Sequence, residues 1–148
     1  MTDKTEHNIT STIEDYLETI LVLSEKKDYA KVTEIAEFHN ISKASVTEMI
    51  AKLKKMGFVN SEKYGTISLT PKGKEIAQKV KNKHEILLVF LLLIGVKPEN
   101  ANLDCCVMEH NLTKETIEKL GLFINFLQTE EQKDILERFR KFMKEQSK

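Results

Sequence analysis

Tryptophan is absent from the 148-residue chain, and proline (2), glycine (5) and cysteine (2) are scarce. So few backbone breakers exclude collagen, a flexible linker or a disulfide-stapled mini-protein, and leave a mainly α protein. The two cysteines, Cys105 and Cys106, are neighbours. Adjacent α-carbons stand about 3.8 Å apart, closer than a relaxed disulfide wants, so they are read as free thiols of a reducing compartment. Long apolar runs are also lacking: the longest, Ile86 to Ile94, would rise only about 13 Å as a helix against a hydrocarbon layer of about 30 Å. The segment 1–7 has no apolar core of signal-peptide length. The expectation is a cytoplasmic protein with no membrane partner.

Net charge is absent too, with 23 basic and 23 acidic residues, so only distribution can argue for a polyanionic partner. Between Lys43 and Lys83 stand ten lysines against three acidic residues, a local net of +7. The remainder of the chain carries the compensating negative charge.

What is present is helical periodicity. Ser11 or Thr12 can cap a helix with Ile13, Tyr16, Leu17, Ile20 and Leu21 on one face, and Asp15 and Glu18 on another. A second helix is expected over 32–39 with Ile35, Ala36 and Phe38 inward, closed by Asn40 in a left-handed cap, followed by Ile41 as a buried turn residue. Ser42 then caps a third helix over 43–56, which buries Val46, Met49, Ile50 and Leu53 and turns Lys43, Ala44, Thr47, Glu48 and Ala51 outward. Gly57 ends it. Segments 58–61 and 66–70 read as two strands of a hairpin through Tyr64-Gly65, and Pro71 suits the first position of a helix capped by Thr70. That arm, 71–94, is basic first and apolar later; three further helices are expected at about 98–111, after Thr113 to Leu127, and 130–144. The division expected is one domain over 1–71 and a second, helical domain over 72–148, the arm linking them.

Helix, short turn, helix and hairpin follow in the order of a winged helix-turn-helix. A helix that enters a major groove needs a small, open first turn, and Ser42, Lys43, Ala44, Ser45 and Thr47 supply one. Lys63 and Tyr64 of the wing and Lys52 against the backbone complete the expected DNA contacts. A second constellation is Cys106, Glu109 and His110, which share a helix face at i, i+3 and i+4 and offer donors suited to first-row transition metals. Asp15 and Glu18 form an acidic pair, and His84 stands where the arm turns apolar. Each piece alone reads more simply as a solvated face, a packed histidine or a chance dipeptide.

Together they resemble the diphtheria toxin repressor family of metal-dependent transcription regulators, and its short manganese transport regulator branch in particular. The resemblance runs from about Ser11 to Leu127. It rests on Ile13-Glu14-Asp15-Tyr16-Leu17-Glu18, Ile41-Ser42-Lys43-Ala44-Ser45-Val46-Thr47-Glu48-Met49, Leu69-Thr70-Pro71-Lys72-Gly73, Lys83-His84-Glu85, and Cys106-Val107-Met108-Glu109-His110 with Leu112. It implies a homodimer that binds double-stranded, palindromic operator DNA when Mn(II) or Fe(II) is bound, with Zn(II) or Co(II) able to substitute in vitro, and that represses genes for divalent-metal uptake. It further implies Asp15, Glu18, His84, Cys106, Glu109 and His110 as ligands, a metal lying between the two modules, and no additional SH3-like domain. Asp15 matches the manganese branch, whereas the thiol of Cys106 resembles the iron-responsive one. Dimerisation is expected through Leu88, Leu91, Leu92, Leu120, Ile124 and Leu127.

Rival readings are a small metallohydrolase, a metal-independent winged-helix regulator and a helical scaffold that dimerises without DNA. No general base beyond the ligands and no oxyanion donor set is visible in the sequence, so an enzyme is not expected.

Overall fold

The computed structural model describes residues 9–147, so the reading of segment 1–7 lies outside the described residues. The chain forms two compact units, one ending at Lys81 and the other beginning at Asn82. Among the described residues there are seven α-helices and one three-stranded sheet, and no helix is long and apolar enough to cross a membrane.

In the first unit, α1 (Ser11–Ser24) starts one residue earlier than expected from its cap, because Thr10 Oγ1 accepts from Ile13 N at 3.3 Å. A short strand, β1 (Ala30–Lys31), precedes α2 (Val32–His39), which ends on Asn40 in the left-handed region at φ 53°. Helix α3 (Lys43–Lys55) is capped by Ser42, whose Oγ accepts from Ser45 N at 3.1 Å. Gly57, at φ 79°, then turns the chain into β2 (Val59–Ser61), and β3 (Thr66–Leu69) returns through a tight turn at Lys63–Gly65. The sheet is antiparallel in the order β1-β3-β2, with Val59 opposite Leu69 and Ala30 opposite Ile67.

Ile13, Leu17 and Ile20 of α1, Ile35 of α2 and Val46 and Leu53 of α3 fill one core, as their helical spacing predicts. Two inward expectations fail. Phe38 is exposed because α2 turns Ile35 and Ala36 to the core, and Ile41 is exposed because Asn40 ends the helix with the chain already leaving the core. The wing tip carries Tyr64, 97% exposed and held in the left-handed region at φ 73°.

Helix α4 (Pro71–Leu93) opens with Thr70 Oγ1 accepting from Gly73 N at 3.1 Å and donating to Gly57 O at 2.7 Å. Gly73 is required by close approach: a Cβ there would overlap the carbonyl of Phe58. The first unit takes ten more residues of the arm than a boundary after 71 allows, since Ala77 packs into its core.

In the second unit, Gly95 at φ 93° follows the end of α4, then come α5 (Pro98–Met108), α6 (Lys114–Leu127) capped by Thr113, and α7 (Lys133–Gln146). Leu87 and Leu91 of α4, Ala101 and Cys105 of α5 and Ile117 of α6 make its core.

Candidate metal centre and DNA-binding surface

Ala101 and Cys105 are one turn apart on the inward face of α5, and Glu109 continues that row as the residue that closes the helix, its N–H donating to Cys105 O at 3.0 Å. The row explains why a carboxylate is only 2% exposed there. Taking a carboxylate out of water is costly unless partners meet it. Both oxygens are met: Glu109 Oε2 lies 2.8 Å from Nδ1 of His84 on α4, and Oε1 lies 3.2 Å from Nε2 of His110. Two imidazoles and one carboxylate of the expected ligand set are therefore together within the second unit.

The thiols depart from expectation. With Cys106 as the ligand, Cys105 is expected to point elsewhere; instead the Cys105 side chain is the buried one, with Sγ 3.5 Å from His84 Nε2. Cys106, about 100° round the helix, is exposed with Sγ 3.9 Å from His84 Nδ1. The spacing from Ala101 to Cys105 to Glu109 was the signal that could have found this. Burial, reinforced by Cys106 and by the Glu109 carboxylate, pushes the Cys105 thiol up to about 12.

Asp15 and Glu18 lie half-buried on α1 of the first unit, one turn apart as predicted. Beside them Thr19 is buried, donates to Asp15 O at 2.8 Å and lies 3.0 Å from His39 Nε2. The His39 ring stacks on Tyr16 with centroids 4.8 Å apart. Its pKa is lowered by burial, which outweighs the upward pull of Asp15.

On the same unit Ser42, Lys43, Ala44, Ser45, Thr47 and Lys52 are all exposed along α3, and Lys63 and Tyr64 are exposed on the wing. The hydroxyl of Ser42 is engaged as the helix cap and that of Thr47 donates to Lys43 O at 2.9 Å. Of the residues expected at a dimer interface, Leu91, Ile124 and Leu127 are interior to their own subunit, Leu88 and Leu120 are half-buried and Leu92 is exposed. A periodic apolar stripe does not distinguish a subunit core from a partner surface. Phe123 of α6 is exposed, and of the pair Phe126 and Leu127, either of which helical spacing could turn inward, Phe126 is the exposed one.

The sequence matches the family description "Iron dependent repressor, N-terminal DNA binding domain" over residues 8–67 and "Iron dependent repressor, metal binding and dimerisation domain" over residues 70–143. The chain belongs to the iron-dependent repressor family. It is 42% identical over 124 residues to the HTH-type transcriptional regulator MntR of Geobacillus thermodenitrificans, spanning 84% of this chain and 88% of that relative. Among solved structures it is similar to the manganese regulator SloR, at 31% identity and a TM-score of 0.67 over 77% of this chain and 54% of that one. It is also similar to IdeR of T. acidophilum, at 29% identity and a TM-score of 0.66 over 72% of this chain and 51% of that one. The chain thus spans about half the length of these solved structures. As a member of this family it is a metal-dependent, DNA-binding transcription regulator that dimerises, and not an enzyme.

The residues present fit a divalent ion. Nitrogen and carboxylate oxygen donors from His84, Glu109 and His110, with a thiol at hand, are the types that first-row metals of intermediate softness accept.

Proposed function

We propose that the chain represses genes for divalent-metal uptake, binding a palindromic operator as a homodimer when Mn(II) or Fe(II) is loaded, with Zn(II) or Co(II) able to stand in vitro. The observation that carries this reading is the buried Glu109 carboxylate between the His84 and His110 imidazoles. Asp15, Glu18 and Cys106 complete the proposed ligand set. The bound ion supplies positive charge to a group of carboxylates that would otherwise repel one another. Glu109, fixed by α5 and by its imidazole partners, anchors the set within the second unit, while Asp15 and Glu18 report from the first.

The exposed first turn of α3 supports DNA contact by Ser42, Lys43, Ala44, Ser45 and Thr47, with Lys52 on the backbone and Lys63 and Tyr64 in the wing. In a dimer, two such helices serve successive major grooves about 34 Å apart. The proposed dimer surface uses Leu88, Leu92 and Leu120 with the exposed Phe123 and Phe126. The low-charge apolar half of the arm supports that choice.

Selection of random-sequence duplexes by the protein tests the reading. Enrichment of a two-fold symmetric site in Mn(II) or Fe(II), lost on chelation, is expected. Equal enrichment with chelator would make the chain a metal-independent regulator.

A further inference from the structure

Glu109 does not exhaust the chemistry around His84. The sulfurs of Cys105 and Cys106 and a ring nitrogen of His84 all lie within 4.8 Å of one another, all inside the second unit. His84 Nδ1 stands 3.7 Å from Cys105 Sγ and 3.9 Å from Cys106 Sγ. A tetrahedral ion with metal–sulfur bonds of about 2.3 Å and metal–nitrogen bonds of about 2.0–2.1 Å places a sulfur and a nitrogen donor about 3.6 Å apart. Each sulfur thus stands within a few tenths of an ångström of the separation from His84 Nδ1 that such an ion needs. The expected ligand set has one sulfur; this cluster has two, on adjacent residues of α5, with the inner one shielded from water.

We propose that Cys105, Cys106 and His84 form a second, sulfur-rich site for a thiophilic ion such as Zn(II), Cd(II) or Cu(I), overlapping the N/O site at His84. Two thiolates and an imidazole favour such ions over Mn(II), which prefers oxygen. Each thiol releases its proton to solvent as its sulfur binds. Nδ1 is the atom that also bonds Glu109 at 2.8 Å, so an ion seated on the sulfurs through Nδ1 takes His84 from Glu109. Thiophilic and manganese-type ions therefore compete for one imidazole. This competition rests on the function proposed above; the sulfur site itself does not.

Cd(II) titration of the reduced full-length protein tests the site through the thiolate-to-cadmium charge-transfer absorbance in the ultraviolet. The expected band corresponds to two thiolates per protein, falls by about half in Cys105→Ala and in Cys106→Ala, and vanishes in the double variant. A wild-type band in Cys105→Ala would overturn the proposal, since Cys106 alone would then be binding. The cadmium NMR shift of the wild-type protein counts thiolates without any substitution, so a poorly folded variant does not remove the test: a one-thiolate or all-N/O shift overturns it. Mn(II)-dependent DNA binding by the wild-type protein, followed by anisotropy, reads the parent function separately. Two-thiolate cadmium with no Mn(II) response would sink that function and leave the site standing; a Mn(II) response with one-thiolate cadmium would do the reverse.

Discussion

His84 Nδ1 and Glu109 Oε2 lie 2.8 Å apart, with the carboxylate almost wholly withdrawn from water. One pair thereby ties α4 to the end of α5 and joins the fold of the second unit to its metal chemistry. Glu109→Gln keeps the volume but halves the acceptor capacity and removes the charge. Metal affinity is expected to fall at least as far as the roughly 10–100-fold seen for lost supporting residues in metal sites, and metal-dependent DNA binding with it. Calorimetric titration with Mn(II) and anisotropy on operator DNA check both; wild-type values in both would remove Glu109 from the ligands.

Glu18→Ala removes a proposed ligand of the first unit. DNA binding is expected to lose its metal dependence. Retention of tight Mn(II) binding without DNA binding would confine coordination to the second unit and assign Glu18 to coupling alone.

Gly73→Ala tests the packing at the start of α4. The new methyl has no room beside the Phe58 carbonyl, and overpacking of this kind costs about 1–3 kcal/mol. A lowered urea midpoint with unchanged slope is expected. Unchanged stability would mean that the first turn of α4 can move away from Phe58 freely.

For DNA, Lys43→Ala and Lys63→Ala remove exposed cations from α3 and the wing. Each is expected to reduce the slope of log K against log salt by about one. Slopes equal to wild type in both would place the phosphate contacts elsewhere.

Stability should also carry a signature of His39. Its folded pKa is lowered by burial, so between that value and an unfolded value of about 6.5 the unfolded chain binds more protons. The contribution is full above about pH 6.5, is lost as pH falls below it, and levels off below the folded pKa. A proton NMR titration of the His39 ring is expected to give a midpoint below 6.5; a midpoint above it would mean that the pull of Asp15 outweighs burial.

Local chemistry was legible in the sequence where one residue decides one feature. Ser42 and Thr113 as caps, Asn40 in its left-handed conformation and Thr70-Pro71 opening α4 all stand as their side chains dictate. Strand β1 was not legible, because two residues become a strand only through pairing with β3, a partner more than thirty residues away. At the site, Glu109 and His110 come together as their spacing suggested, and His84 joins them as the resemblance implied. The inward turn of Cys105 depended on how α5 is rotated against Leu87 and Leu91, and the five-residue motif from Cys106 to His110 does not encode that rotation. Burial inside a subunit and burial between subunits select the same residue types, so spacing alone offers Leu91, Ile124 and Leu127 to a partner although the single chain already buries them.

Tyr64 sits at the tip of the wing. A bulky residue in the left-handed region costs about 1–2 kcal/mol that glycine or asparagine would not incur, and with 97% of its surface in water the ring recovers almost nothing by packing. Judged by folding alone it is the wrong amino acid at that position. A screen for thermal tolerance would therefore replace it early, and the survivors would be sturdier proteins with a blunted wing. With Tyr64 as a proposed DNA contact, stability and recognition pull in opposite directions at this one side chain.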